Sequence, residues 1–187
     1  MDKILLINAC IRPNSRTLEL TKHVLSKLQG EVDELELYKL DLSPLNLERM
    51  AIRDNAMKCN DFSNNLFDLA KQFASKDVIV VAAPYWDLMF PAIVKNYLET
   101  ITVNGLTFKY GANGMPQGLC NARKLIYVTT SGGPIINNFG FDYISAISKT
   151  FFGIDEVLFV SAEGLDIYGA NVEEIMKKAK KSFDINE

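Results

Sequence analysis

Six consecutive apolar residues, four of them β-branched, open the segment Val78-Ile-Val-Val-Ala-Ala-Pro-Tyr-Trp-Asp-Leu-Met-Phe-Pro91. No other stretch constrains the fold as tightly. A run without polar alternation reads as a strand buried on both faces, as in a parallel sheet. Pro84 has no N–H to give the ladder and ends it. Pro91 has its φ already set for a helix, so the segment Ala92-Ile-Val-Lys-Asn-Tyr-Leu98 reads as a helix start. Ligands bind sheets of this kind where strands end and helices begin. Tyr85 and Trp86 on that turn suit a flat, conjugated ligand.

Strands and helical patterns alternate along the rest of the chain. Residues 3–8 read as a first buried strand and residues 32–37 as a second, half-exposed one broken by acidic side chains. Residues 78–83, 124–130 and 156–162 complete the set. Between them, Leu18, Thr21, Leu25 and Leu28 share one helix face, and Phe62, Leu66, Leu69, Ala70 and Phe73 share another. The series continues with Ile93, Tyr97 and Ile101, then Ile144, Ile147 and Phe151, and finally Val172, Ile175 and Ala179. Five strands alternating with five helices imply right-handed crossovers and a parallel sheet. In a chain of 187 residues this predicts an α/β, three-layer, flavodoxin-like architecture: a five-stranded sheet of order 2-1-3-4-5 with helices on both faces. One domain over residues 1–187 is expected. Residues 41–59 read as a long connection, and residues 105–121, with Phe108, Tyr110 and four glycines, as a second insert.

The bulk properties narrow the function classes. A net charge of −3 argues against nucleic acid as a partner, because phosphate binding at a duplex needs a clustered positive surface. No apolar segment approaches the ~20 residues that span a bilayer, so no membrane partner is expected. Cys10, Cys59 and Cys120 are few, odd in number and without a Cys-x-x-Cys pair, which suits a reducing compartment. The chain runs straight into its first strand without a signal-peptide pattern, and a cytoplasmic location is expected. The single histidine, His23, lies opposite the Leu18, Leu25 and Leu28 face and reads as a solvated residue. It leaves no Ser-His or Cys-His pair for covalent catalysis. No spacing predicts a metal site.

Three loops at strand ends carry the chemistry. The first is Asn8-Ala-Cys-Ile-Arg-Pro-Asn-Ser-Arg-Thr17, where Ser15, Thr17, Arg12, Arg16 and a fresh helix N-terminus form an anion cradle. Helix capping by Ser15 alone is the bland alternative. The second is the turn at Pro84, Tyr85, Trp86, Asp87 and Leu88. The third is Val128-Thr-Thr-Ser-Gly-Gly-Pro134, where Gly132 and Gly133 let the backbone approach a ligand. Neither G-x-G-x-x-G nor a P-loop occurs. A phosphate gripped by hydroxyls and a helix end, with an aromatic turn nearby, suits flavin mononucleotide (FMN).

On these residues, with Lys95-Asn-Tyr97, Gly105-Leu-Thr-Phe-Lys-Tyr110 and Ala162-Glu-Gly164, the chain resembles the FMN-dependent NAD(P)H oxidoreductases that include NADH-azoreductases and quinone reductases. The resemblance runs essentially end to end. It implies FMN phosphate at Cys10, Ser15, Arg16 and Thr17, the isoalloxazine ring on Pro84, Tyr85, Trp86, Asp87 and Leu88, and its pyrimidine edge at Thr130, Ser131, Gly132 and Gly133. It further implies NADH or NADPH as electron donor, a ping-pong cycle, and a small-molecule oxidant: a quinone, azo compound or nitroaromatic. A homodimer with the flavin at the interface is implied as well, and no protein side chain is expected to carry the chemistry that FMN N5 supplies. The azoreductases usually have Asn-Phe at the positions of Asp87 and Leu88, a serine at Cys10, and an arginine beside the glycine pair. A flavodoxin-type electron carrier or a flavin-binding redox interaction protein, without NAD(P)H turnover, is the alternative.

Overall fold

A computed structural model describes residues 1–186, so Glu187, the last residue of the expected domain, lies outside the described residues. Along the chain run β1 (Asp2–Asn8), α1 (Arg16–Lys27), β2 (Gly30–Glu36), α2 (Leu47–Cys59), α3 (Asp68–Ala74), β3 (Val78–Ala82) and α4 (Ala92–Ile101). There follow β4 (Phe108–Tyr110), β5 (Pro116–Gly118), β6 (Lys124–Thr130), α5 (Phe139–Ile147), β7 (Glu156–Ala162) and α6 (Val172–Asn186). The main sheet has the order β2-β1-β3-β6-β7, all pairs parallel, and β4 and β5 form a separate antiparallel pair. With the two short strands set aside, this is the expected order 2-1-3-4-5 of a flavodoxin-like fold.

Alternation along the central strands divides the core. Ile4 and Leu6 of β1, with Val78 and Val80 of β3, pack against Leu20 and Val24 of α1 and Met176 and Phe183 of α6. Leu5, Ile7, Ile79 and Val81 face the other way, against Phe73 of α3, Tyr97 and Ile101 of α4, and Ile144 of α5. All five residues of β3 are buried, as the unbroken apolar run predicts.

The structure departs from the expectation at several elements. β2 spans Gly30–Glu36 rather than residues 32–37, and the buried Leu37 opens a short 3-10 turn. Residues 41–59 are not simply a connection: Asn46 accepts a hydrogen bond from the Arg49 amide and starts α2, giving six helices among the described residues. The buried side of α1 is Thr17, Leu20, Thr21 and Val24, one step round from the expected face. His23 is accordingly half-buried and pairs with Asp184 of α6 at 2.9 Å, rather than standing free in solvent. Residues 65–67 form a 3-10 turn ahead of a short α3, which buries Phe67, Ala70 and Phe73.

Two devices lock the periphery. Arg53 of α2 is buried, and its Nη2 donates to the Glu99 and Thr100 carbonyls at the end of α4, at 2.7 and 2.6 Å. Those carbonyls lack intrahelical partners, and a guanidinium satisfies them with charge-assisted bonds. The β4–β5 pair docks on the π-helical turn that follows α5. A Cβ on Gly118 would stand 2.2 Å from the Gly153 nitrogen, so only a bare backbone fits there.

Candidate functional site

β1, β3 and β6 are adjacent, so the loops leaving their carboxyl ends meet at one edge of the sheet. They enclose an open cleft of about 300 Å³ whose walls include Cys10, Ser15, Arg16, Thr17, Pro84, Tyr85, Trp86, Thr130, Ser131 and Gly132. Ten of the thirteen expected site residues therefore share one cavity. Asp87 and Leu88 lie just beyond Trp86 on an exposed turn, and Gly133 is exposed beside Gly132.

Ser15 caps α1 by accepting a hydrogen bond from the Leu18 amide at 3.2 Å. Its carbonyl accepts from the Glu19 amide, so the amides of Arg16 and Thr17 are left without an intrahelical acceptor. These two N–H groups and the positive end of the helix, with Arg12 on the same wall, make an anion-binding corner. Burial pushes the Cys10 thiol above its ordinary value, and hydrogen bonds with Ser15 and Thr17 offset only part of that. Cys10 is thus an uncharged wall of the cradle and puts no negative charge beside an anion.

Thr17 and Thr130 are buried, and their hydroxyl oxygens stand 2.6 Å apart. Tyr85 donates its backbone N–H to the Thr130 carbonyl at 3.1 Å and its hydroxyl hydrogen to the Asn137 carbonyl at 2.9 Å. The aromatic turn is in this way tied to the loop after β6. Asp87 and Leu88 have φ of +51° and +67°, and Trp86 and Met89 exchange backbone hydrogen bonds of 2.8 and 2.9 Å around them. This is a two-residue hairpin turn with both central residues left-handed, a geometry that favours Asn-Gly rather than Asp-Leu.

The loop after β7 supplies what the sequence reading missed. Leu165 and Asp166 also line the cleft, and their backbone amides donate to the Ser131 and Gly132 carbonyls at 3.1 and 2.9 Å. Arg16 Nη1 donates to Asp166 Oδ1 at 2.7 Å and to the Leu165 carbonyl at 3.3 Å. Arg16 therefore clamps this loop as well as facing the cradle. The available signal was topological: a strand beside β6 must deliver its own loop to the same edge.

Over residues 2–185 the chain matches the family described as having a flavodoxin-like fold. FMN-dependent NADH:quinone oxidoreductases of Lachnoclostridium phytofermentans and Coprothermobacter proteolyticus are 37% and 34% identical to it. The matches cover 97% and 98% of this chain and 96% and 97% of those relatives. Among solved structures, an azoreductase from Bacillus anthracis aligns with a TM-score of 0.85 at 24% identity, over 100% of this chain and 98% of the other. An FMN-dependent NADH-azoreductase of the same species, in complex with FMN, aligns with a TM-score of 0.80 at 20% identity, over 99% and 97%. Those two likenesses establish the shared architecture, while the closer sequence matches establish kinship. The chain belongs to the flavodoxin-like family of the FMN-dependent NADH:quinone oxidoreductases.

Proposed function

We propose that this protein is an FMN-dependent oxidoreductase that takes a hydride from NADH or NADPH and reduces quinones, azo compounds or nitroaromatics. The observation that carries the reading is the convergence of three loops, after β1, β3 and β6, on one cleft with an anion corner at one end and aromatic side chains at the other. The donor set fits FMN. Ser15, Arg12, Arg16 and the free amides of Arg16 and Thr17 suit its phosphate, and the neutral Cys10 thiol adds no repulsion. Tyr85, Trp86, Asp87 and Leu88 would carry the ring system, and Thr130, Ser131, Gly132 and Gly133 its pyrimidine edge. A bound FMN would supply the redox chemistry, receiving the hydride at N5 and passing two electrons to the oxidant after the nicotinamide has left, a ping-pong order.

The protein's own part is to bind and orient. Thr130 fixes the height of the aromatic turn through the Tyr85 amide, and Thr17 fixes Thr130 through their paired hydroxyls. Exposed apolar side chains at the cleft mouth, among them Ile11, Trp86, Leu88 and Ile167, suit burial against a second copy. A homodimer with the flavin at its interface is part of this proposal, as is a cytoplasmic location. Among the described residues no helix is long and apolar enough to cross a membrane.

The test is the absorption spectrum of the purified protein before and after anaerobic NADH or NADPH. A yellow protein that bleaches with either establishes flavin and donor together. A yellow protein that bleaches with neither supports the electron-carrier alternative. A colourless protein that takes up no added FMN overturns both.

A further inference from the structure

Asp166 stands in a peculiar place: a carboxylate built into the wall of an anion cradle. Its position is defined on both sides. Oδ1 accepts from Arg16 Nη1 at 2.7 Å, and a Cβ added to Gly132 would stand 2.4 Å from Oδ2, so that oxygen lies against a bare Cα. The backbone holds it there too, with the Asp166 amide donating to the Gly132 carbonyl at 2.9 Å. Arg16 is the first residue of α1, at the end where the helix dipole favours negative charge.

We propose that Asp166 is an internal competitor for this cradle. Its carboxylate shares the Arg16 guanidinium with the ligand phosphate, repels that phosphate across the cleft, and so lowers the protein's hold on a phosphorylated flavin. This inference rests on the flavin reading above and deepens it, because it assigns residue 166 control over retention of the phosphate end alone. The side chains of Arg16 and Asp166 are 41% and 69% exposed, so their pairing is weak enough to yield to a doubly charged phosphate. The carboxylate charge remains in the wall after Arg16 has turned, and its repulsion persists in the complex.

The experiment is a titration of the full-length protein with FMN and, separately, with riboflavin, which lacks the phosphate. Quenching of flavin fluorescence reports binding in wild type, Asp166→Asn, Arg16→Gln and the double variant. Asp166→Asn is expected to bind FMN about three- to tenfold more tightly, the scale set by removing one partly exposed charge, with riboflavin unchanged. In the Arg16→Gln background the direct repulsion is left unopposed, so Asp166→Asn is still expected to tighten FMN and not riboflavin, and loss of that selectivity overturns the repulsion. Unchanged or weaker FMN binding by Asp166→Asn overturns the proposal, as does an equal gain for both flavins. Failure of the wild type to bind either flavin overturns the flavin reading itself, and this inference with it.

Discussion

Thr17 of α1 and Thr130 of β6 meet as two buried hydroxyls 2.6 Å apart, joining the loop after β1 to the loop after β6. Each loop belongs to a different crossover, and 113 residues separate the two in sequence. The contact is the shortest tie between the anion corner and the strand end that holds the Tyr85 amide.

Removing Thr17 leaves the buried Thr130 hydroxyl without this partner. Thr17→Val is expected to destabilise the flavin-free protein by about 1–3 kcal/mol. The double variant Thr17→Val/Thr130→Val should recover much of the loss, since two apolar groups of the same shape need no partner. Urea midpoints of Thr17→Val, Thr130→Val and the double variant check this, and a double variant no more stable than Thr17→Val would refute it.

The turn at Asp87 and Leu88 stores strain. Neither residue is glycine, and φ values of +51° and +67° oppose the Cβ of each. Asp87→Asn/Leu88→Gly supplies the pair this turn type favours and should raise stability by about 1 kcal/mol, part of the relief being offset by the freedom glycine gains when unfolded. Chemical denaturation provides the measurement. A loss of stability would show that Leu88 contributes more by contact than it costs in backbone strain.

Acid sensitivity follows from carboxylates whose partners exist only in the fold. The hydrogen bond with His23, then that with Lys27, holds Asp184 below its ordinary 3.8. Arg123 does the same to Asp2, and the Ser63 amide to Asp61. A folded-state pKa below the unfolded one means that the unfolded chain binds more protons in this window. Stability therefore rises with pH through it, and is lost as pH falls through the folded-state values. The urea midpoint should fall between about pH 5 and pH 2, and Asp184→Asn should make that fall shallower.

The three thiols should separate by reactivity. Cys59 is exposed, whereas burial pushes the Cys120 thiol up to about 12 and raises that of Cys10 as well. The thiolate is the reactive form, so iodoacetamide near pH 8 is expected to label Cys59 first. Cys10 and Cys120 should follow only when urea opens the fold, as peptide mass spectrometry would show. Early labelling of Cys120 would reveal local opening around the β4–β5 pair.

The parallel strands were legible because burial on both faces leaves a continuous apolar run. Residues 78–82 and 124–130 fall where that signal puts them, to within a residue, and the half-exposed edge strand at 156–162 still keeps the apolar stretch from Val157 to Val160. α2 was not legible, because its apolar side chains do not form a stripe. Leu47, Met50 and Met57 are exposed, while the buried positions are Arg53 and Ala56, and a buried arginine reads as surface in any periodicity argument. The face of α1 was misread by one step because Leu18 and Leu25 flank the buried stripe of Leu20 and Val24. The three loops of the cleft could be read from strand ends. The strand order also implied a fourth loop after β7, but not that Asp166 would face the cleft, since that depends on a clamp from Arg16 and a bare Cα at Gly132, neither of which has a sequence spacing.

α4 is moored at both ends. Arg53 grips its last carbonyls, and at its start Pro91 follows the turn directly, with Tyr97 and Ile101 sealed in the core between. A rod fixed in that manner cannot slide when something presses on its near end. Any change of shape at this edge of the cleft falls to the four residues from Trp86 to Met89, two of them held at left-handed φ. The turn is thus a strained clip on a rigid block, so a substitution in it should reshape this edge of the cleft and leave the core undisturbed.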